Sequence, residues 1–353
     1  MVSMFPQIFP PSTEAFEGAK ARQLTLTKPA GSLGRLEEIG NFIASCQGTS
    51  TPTPISQPRI VVFAGDHGVA QAGVSAYPAE VSLQMAANIN AGGAAINVLA
   101  NQAGAEVVLA DISLNHGEVT VPSEVGPYFV RSGSGRIDIE DAMSLEEFDR
   151  ALAIGRGLAD KAVDEGCDLL IAGDLGIGNT TPAAALIGAA CGLEPVVAVG
   201  RGTGIDDEGW KRKVSVIRDA MFRVRTLRND PAAVLRAISS PDLVAMAGFL
   251  AQASVCATPV ILDGVVVTAA ALWANQLAPG ASAWWLAGHR SAEPAHTRAL
   301  EALNLTPLVD NYSMRLGEGS GAALALPLVK AATAILSEMA TFDSAGVSTK
   351  SED

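Results

Sequence analysis

RIVVFAGD (59–66), EVVLAD (106–111), DLLIAGD (168–174), PVVAVG (195–200) and PVILDG (259–264) are short apolar runs that each end at Gly or Asp. They have strand length, are rich in Val, Ile and Leu, and lack period-two alternation. That is the pattern of strands covered on both faces, as in a parallel sheet. WWLAG (284–288) reads as a further strand, and helical patterns over 79–100 and 145–165 lie between the runs. The alternation predicts an α/β fold: an open, mostly parallel Rossmann-like sheet flanked by helices. Outward from this centre, residues 13–48 and 292–340 are mainly helical, with no core strand. The expectation is a small helical domain built from 1–58 and 292–340 beside a large α/β domain, 59–291. A capping signal at Ser32–Arg35 precedes Glu37, GTSTPTPISQP (48–58) reads as a linker, and the polar tail 341–353 is expected to be disordered.

The composition narrows the function classes. With 48% hydrophobic and 17% charged residues in 353, the chain has material for a large buried core. A net charge of −13 argues against sequence-independent nucleic-acid binding, which needs clustered Lys and Arg. Cys46, Cys167, Cys191 and Cys256 show no CxxC spacing, and His67, His116, His289 and His296 form no HxxxH array. Neither a disulfide framework nor a transition-metal site is expected, and no cofactor is called for. Leu243–Leu262 is about long enough to cross a bilayer. It reads better as a helix through Gln252, a turn at Thr258-Pro259 and a buried strand. The N-terminus lacks the basic and apolar regions of a signal peptide, so a cytoplasmic location is expected.

Four loops carry the chemistry, and the sheet would present strand-end loops to a ligand beyond the carboxyl ends of its strands. Gly65-Asp66-His67-Gly68 follows the first strand; Asp66 is either functional or a loop cap. Gly173-Asp174-Leu175-Gly176-Ile177-Gly178-Asn179-Thr180 runs from strand through a glycine loop into a helix, a setting whose free N–H groups and dipole favour a phosphate. It is neither a Walker loop nor a GxGxxG fingerprint. Gly200-Arg201-Gly202-Thr203-Gly204 precedes Asp206–Glu208 and Lys213. The acids there suit a plain helix start, and Lys213 with the glycines suits a second anion loop. In Arg315-Leu316-Gly317-Glu318-Gly319, a carboxylate stands between glycines, where neither packing nor turn preference explains it.

These motifs together resemble the nicotinate-nucleotide–dimethylbenzimidazole phosphoribosyltransferase family. The similar segments are TKPAGSLGRLEEIG (27–40), FAGDHGVAQAGVSAYPAEVSLQM (63–85), NINAGGAAINVLA (88–100), GDLGIGNTTPAAAL (173–186), GRGTGIDDEG (200–209), VILDGVVVTAAAL (260–272), GHRSAEPAH (288–296) and RLGEGSGAALAL (315–326), in order along nearly the whole chain. The resemblance implies the two-domain α/β fold, a homodimer, and phosphoribose transfer from nicotinate mononucleotide to 5,6-dimethylbenzimidazole. The products would be nicotinate and α-ribazole 5′-phosphate, formed with inversion at the anomeric carbon. Glu318 matches the catalytic glutamate. The nucleotide loops match Asp174, Gly176, Gly178 and Asn179, and Gly202 and Gly204 with Lys213. The base pocket matches Ser75, Tyr77, Pro78, Gln84 and Leu316, with Gln84 reaching an azole nitrogen.

Two departures stand out. Asp174-Leu175 replaces the family's usual Glu-Met, which shortens the carboxylate by one methylene, and Ser239-Ser240 stands where a Gly-Gly pair is common. The same loops would also serve a phosphoribosyltransferase using another base, such as a purine or a phenol. A non-catalytic nucleotide-binding regulator would have no need of Glu318. A nicotinamide-dependent dehydrogenase lacks its strand–GxGxxG–helix unit here.

Overall fold

The computed structural model describes residues 4–117 and 126–348. Six parallel strands form one sheet: β1 (Pro58–Gly65), β2 (Glu106–Ser113), β3 (Leu169–Leu175), β4 (Val260–Leu262), β5 (Trp285–His289) and β6 (Pro307–Val309), in the order β2-β1-β3-β4-β5-β6. Successive strand side chains point to opposite faces. Val61, Phe63, Leu170, Ala172, Val260 and Leu262 join one core layer, while Ile60, Val62, Ala64, Leu169, Ile171 and Ile261 join the other. Both layers are buried, and this explains why the strand sequences show no alternation. The order reverses between β1 and β3, so the loops there splay apart and open a crevice at the carboxyl edge.

Helices cover both faces. On one side, Leu145–Asp164 packs against Pro241–Val255 so closely that a Cβ on Gly155 would lie 1.8 Å from the Ala245 carbonyl oxygen. The segment 243–262 divides as expected into that helix and β4. On the other side, Arg35–Gln47 and Ser320–Glu338 bring the two ends of the chain together and lay them on the sheet. Ser320–Glu338 is also long and apolar enough to cross a membrane by length and composition, yet more than half of it is buried in this core. Arg22 ties the ends further by donating from Nε to the Leu336 carbonyl at 2.7 Å.

Several expectations change. PVVAVG (195–200) is not a strand. Pro195 opens a short helix, Pro195–Ala198, whose Val196 and Val197 are exposed, so the run has no second covered face. The pattern 79–100 is two helices, Val81–Asn90 and Ala95–Ala103, broken where Gly92 takes φ +81°. The stretch 292–340 does contain a strand: β6, only three residues long, pairs with β5 at the sheet edge. Ser32 does not cap the following helix. Gly34 sits at its start with φ +53°, and the Glu37 carboxylate accepts the Leu33 N–H and pairs with Lys28 instead. In the tail expected to be disordered, Phe342–Ala345 forms a helical turn, because the Thr341 hydroxyl accepts the Ser344 N–H and the Phe342 N–H reaches the Thr25 carbonyl. Residues 349–353 lie outside the described residues.

Ser239 and Ser240 need no glycine. Their φ angles are −101° and −161°, outside the left-handed region, and Ser239 Oγ donates to the Leu235 carbonyl.

Candidate active site

At the carboxyl edge, loops after β1, β3, β4, β5 and β6 enclose a cleft of about 380 Å³. Asp174, Gly176, Gly178, Asn179, Gly202, Ser75, Tyr77, Leu316 and Glu318 all line it. The sheet therefore gathers residues from four separate segments into one place.

Glu318 is built with care. Three consecutive residues are left-handed: Gly317 (φ +87°), Glu318 (+62°) and Gly319 (+86°). A non-glycine residue in this region costs about 1–3 kcal/mol, and such strain concentrates at functional sites. The surroundings hold it there. The Glu318 N–H donates to the Asp174 carbonyl at 2.9 Å, and the Asp263 carboxylate accepts from the Gly319 and Ala322 N–H groups at 3.1 and 2.9 Å. Gly173 packs beneath, where a Cβ would come within 2.4 Å of the Glu318 carbonyl oxygen. The side chain is buried, its Oε2 meeting the Ile96 N–H at 3.4 Å. Burial pushes its pKa above the ordinary value and the Asp263 charge adds to this, against the Ile96 bond.

Asp174 is buried and accepts from Asn179 Nδ2 at 2.7 Å, so the shortened carboxylate is spent on holding the glycine loop. Burial, then the charges of Asp263, Asp242 and Glu318, raise its pKa well above the usual carboxylate range. Asn179 turns its side chain to Asp174 and leaves the start of helix Thr180–Cys191 without a side-chain cap. The Ile177 N–H is taken by Ser82 Oγ at 2.9 Å.

Lys213 lies behind these loops, buried, with Nζ donating to Thr180 Oγ1 at 2.7 Å. Desolvation lowers its pKa to about 8, opposed by the charge of Glu293. Among the described residues no ion pair includes it. Asp206 caps its helix by accepting the Gly209 N–H at 2.8 Å, so the plain reading of those acids holds.

Other expected residues sit elsewhere. Gly204 lines an adjoining cleft with Gly200, Gly202 and Trp210 rather than the main one. Pro78 and Gln84 are exposed and do not line the cleft. Val81 and Met85, one helical turn apart, form that wall, and Gln84 between them in sequence stays exposed outside it. Gly202 does not offer its N–H to the cleft, because Glu293 Oε1 accepts it at 2.9 Å. Asp66 serves its loop, accepting the Asn115 N–H at 2.8 Å, and His67 is buried 3.7 Å from Asp242. Sequence reasoning gave no role to Asp263, His289, Ser291 or Glu293. Their signal was present: each stands at or just beyond the carboxyl end of β4 or β5.

The chain can now be set beside known proteins. A family model described as phosphoribosyltransferase matches residues 8–347. A nicotinate-nucleotide–dimethylbenzimidazole phosphoribosyltransferase of Corynebacterium efficiens is 65% identical over 344 residues, covering 98% of this chain and 92% of the relative. The chain belongs to this phosphoribosyltransferase family. The counterpart from Mycobacterium avium is 58% identical, with 98% of each chain covered. The crystal structure of the Thermus thermophilus phosphoribosyltransferase superposes with a TM-score of 0.88 at 43% identity, over 96% of this chain and all of that one. The family thus carries the same α/β sheet and, with it, the strand-end loops that form the cleft.

Proposed function

We propose that this phosphoribosyltransferase moves the 5-phosphoribosyl group of nicotinate mononucleotide to 5,6-dimethylbenzimidazole. An unprotonated azole nitrogen attacks the anomeric carbon as the bond to the pyridinium nitrogen breaks, so the configuration inverts. Nicotinate leaves from a cationic ring and needs no general acid. The azole gains positive charge, and its N–H proton passes to the Glu318 carboxylate. The products are nicotinate and α-ribazole 5′-phosphate. Lys213 with Thr180 and the Gly176–Asn179 loop would hold the phosphate, and Ser75, Tyr77, Val81, Met85 and Leu316 would take the flat apolar ring. Alignment of the two substrates contributes more than the proton transfer, which is worth about 10²–10⁴-fold.

The observation that carries this reading is a strained, buried carboxylate lining the cleft, with a buried ammonium just behind the same cleft, on the hydroxyl of its lining residue Thr180. The proposal extends to a cytoplasmic homodimer, which the resemblance supports, and to a small domain formed from both termini. The cluster of Ala19, Leu26, Ala44 and Leu336 supports the latter, although β6 lies in the sheet.

A product assay with nicotinate mononucleotide and a panel of bases tests the reaction. Dimethylbenzimidazole should give an α-configured ribotide by NMR. Efficient turnover of a purine or phenol with none of dimethylbenzimidazole would refute the choice of base.

A further inference from the structure

Glu293 stands just after β5, at the start of helix Pro294–Ala302, and its carboxylate is buried between the two adjoining clefts. It grips the 200–204 loop. Oε1 accepts the Gly202 N–H, and Gly200 packs so tightly on the carboxylate that a Cβ there would fall 1.9 Å from Oε2. The same Gly202 carries two further attachments. Its carbonyl accepts from Arg315 Nη1, and a Cβ at its α-carbon would lie 3.0 Å from Thr180 Oγ1 and 3.2 Å from Lys213 Nζ. Glu293, Gly202 and the Lys213–Thr180 pair thus form one contiguous stack.

A carboxylate on a loop N–H beside an anion site has two possible meanings. It could fill the place of an incoming phosphate, or it could brace the loop permanently. Displacement would strand a buried carboxylate next to a phosphate dianion in a low-dielectric pocket. The contact with Gly200 also holds the carboxylate against the loop backbone. The geometry favours the brace.

We propose that Glu293 is a positioning residue: it fixes the 200–204 loop through Gly202 and supplies the counter-charge for buried Lys213, so that Lys213 and Thr180 are set to receive the phosphate of the nucleotide. This rests on the phosphate role of Lys213 stated above. The other charged or titratable groups nearby are Arg315, on the Gly202 carbonyl, the exposed Arg201–Asp207 pair, and Asp174, His289 and Glu318, which line the same cleft as Glu293. Glu293 is the one whose charge supports the protonated form of Lys213 against burial.

The test compares Glu293→Gln, Glu293→Ala and Lys213→Ala with wild type in steady-state kinetics near pH 6.5 and 8.5, with inorganic phosphate as a competing ligand. Gln keeps an oxygen for the Gly202 N–H but removes the charge. Its KM for nicotinate mononucleotide should rise about tenfold at the higher pH and little at the lower, with kcat and the KM for the base nearly unchanged. Ala loses the brace as well, and its KM should rise about tenfold or more at both pH values. Tighter binding of phosphate or nucleotide by Glu293→Gln would overturn the proposal in favour of a displaced placeholder. So would a KM that does not change with the charge. The glutamine variant is nearly isosteric, so it carries the test if Glu293→Ala fails to fold. Lys213→Ala separates the two ideas: an unchanged nucleotide KM in that variant would defeat the phosphate reading itself, whatever Glu293 does.

Discussion

At the scale of single residues, Glu318 shows how a backbone can hold a carboxylate in a conformation that it would not adopt alone. Its left-handed φ is stabilised by the Asp174 carbonyl and by Asp263, which anchors the next residues. Glu318→Gln keeps the shape but cannot accept a proton. Turnover should fall by about 10²–10⁴-fold with nucleotide binding nearly intact, and near wild-type activity in that variant would remove Glu318 as the base. The pH profile carries a second expectation. As the proposed base Glu318 must be ionised, and its raised pKa puts the acidic limb expected from that role above the ordinary carboxylate range. In its proposed phosphate role Lys213 must be protonated, and burial lowers its pKa to about 8. So kcat/KM for the nucleotide should be bell-shaped and decline as pH rises through about 8. Lys213→Arg, always charged, should lose that alkaline decline, and its persistence would assign the limb to another group.

At the scale of elements, small residues decide how closely the layers approach. Gly155 and Gly248 let helices Leu145–Asp164 and Pro241–Val255 meet backbone to backbone: a Cβ on Gly248 would lie 2.5 Å from the Leu152 carbonyl oxygen. Gly155→Val should separate these helices and cost about 1–3 kcal/mol or more, read as a lower midpoint in urea. An unchanged midpoint would mean that the helices slide apart freely. The five core strands were legible because continuous apolar runs between turn residues have few other uses in a chain of this composition. PVVAVG was misread because a run of valines does not reveal which side faces water. β6 was missed because only Leu308 and Val309 continue its apolar run after Pro307, with no Gly to close it as in PVILDG. Gln84 was misplaced for a related reason: helical spacing tells which residues share a face, but the facing partner decides which face meets the cleft.

At the scale of the whole molecule, folding must tolerate buried acidic groups, two lining the cleft and two behind it. Asp174, Asp242, Asp263 and Glu318 all have raised pKa values, with burial the largest cause in each. The unfolded chain gives up these protons at lower pH than the folded one. Their contribution therefore favours folding fully below the ordinary carboxylate range, and it is lost as pH rises through the raised values. Asp174→Asn keeps an oxygen for Asn179 and removes one buried charge. It should melt at a higher temperature than wild type at pH 8, with the gain disappearing towards about pH 4. A lower melting temperature at pH 8 would show that the charged bond to Asn179 outweighs the cost of burial.

The division between sequence and tertiary structure follows from range. The amino-acid order alone determined the α/β class, the glycine loops at strand ends and the oddity of a carboxylate between glycines, because each rests on neighbours a few residues apart. Only the folded chain decided that the Gly202 N–H belongs to Glu293, that Asp174 serves Asn179, and that Val81 and Met85 rather than Gln84 face the cleft. The Gly202–Glu293 pairing joins segments brought together by the strand order, whereas Asp174 and Asn179 meet within one loop whose turn places them in reach; in both, a buried polar group takes the partner that the folded backbone supplies. Glu318 belongs to both sides: its position is written in Gly317 and Gly319, and its strain is held by Asp174 in β3 and by Asp263 just past β4.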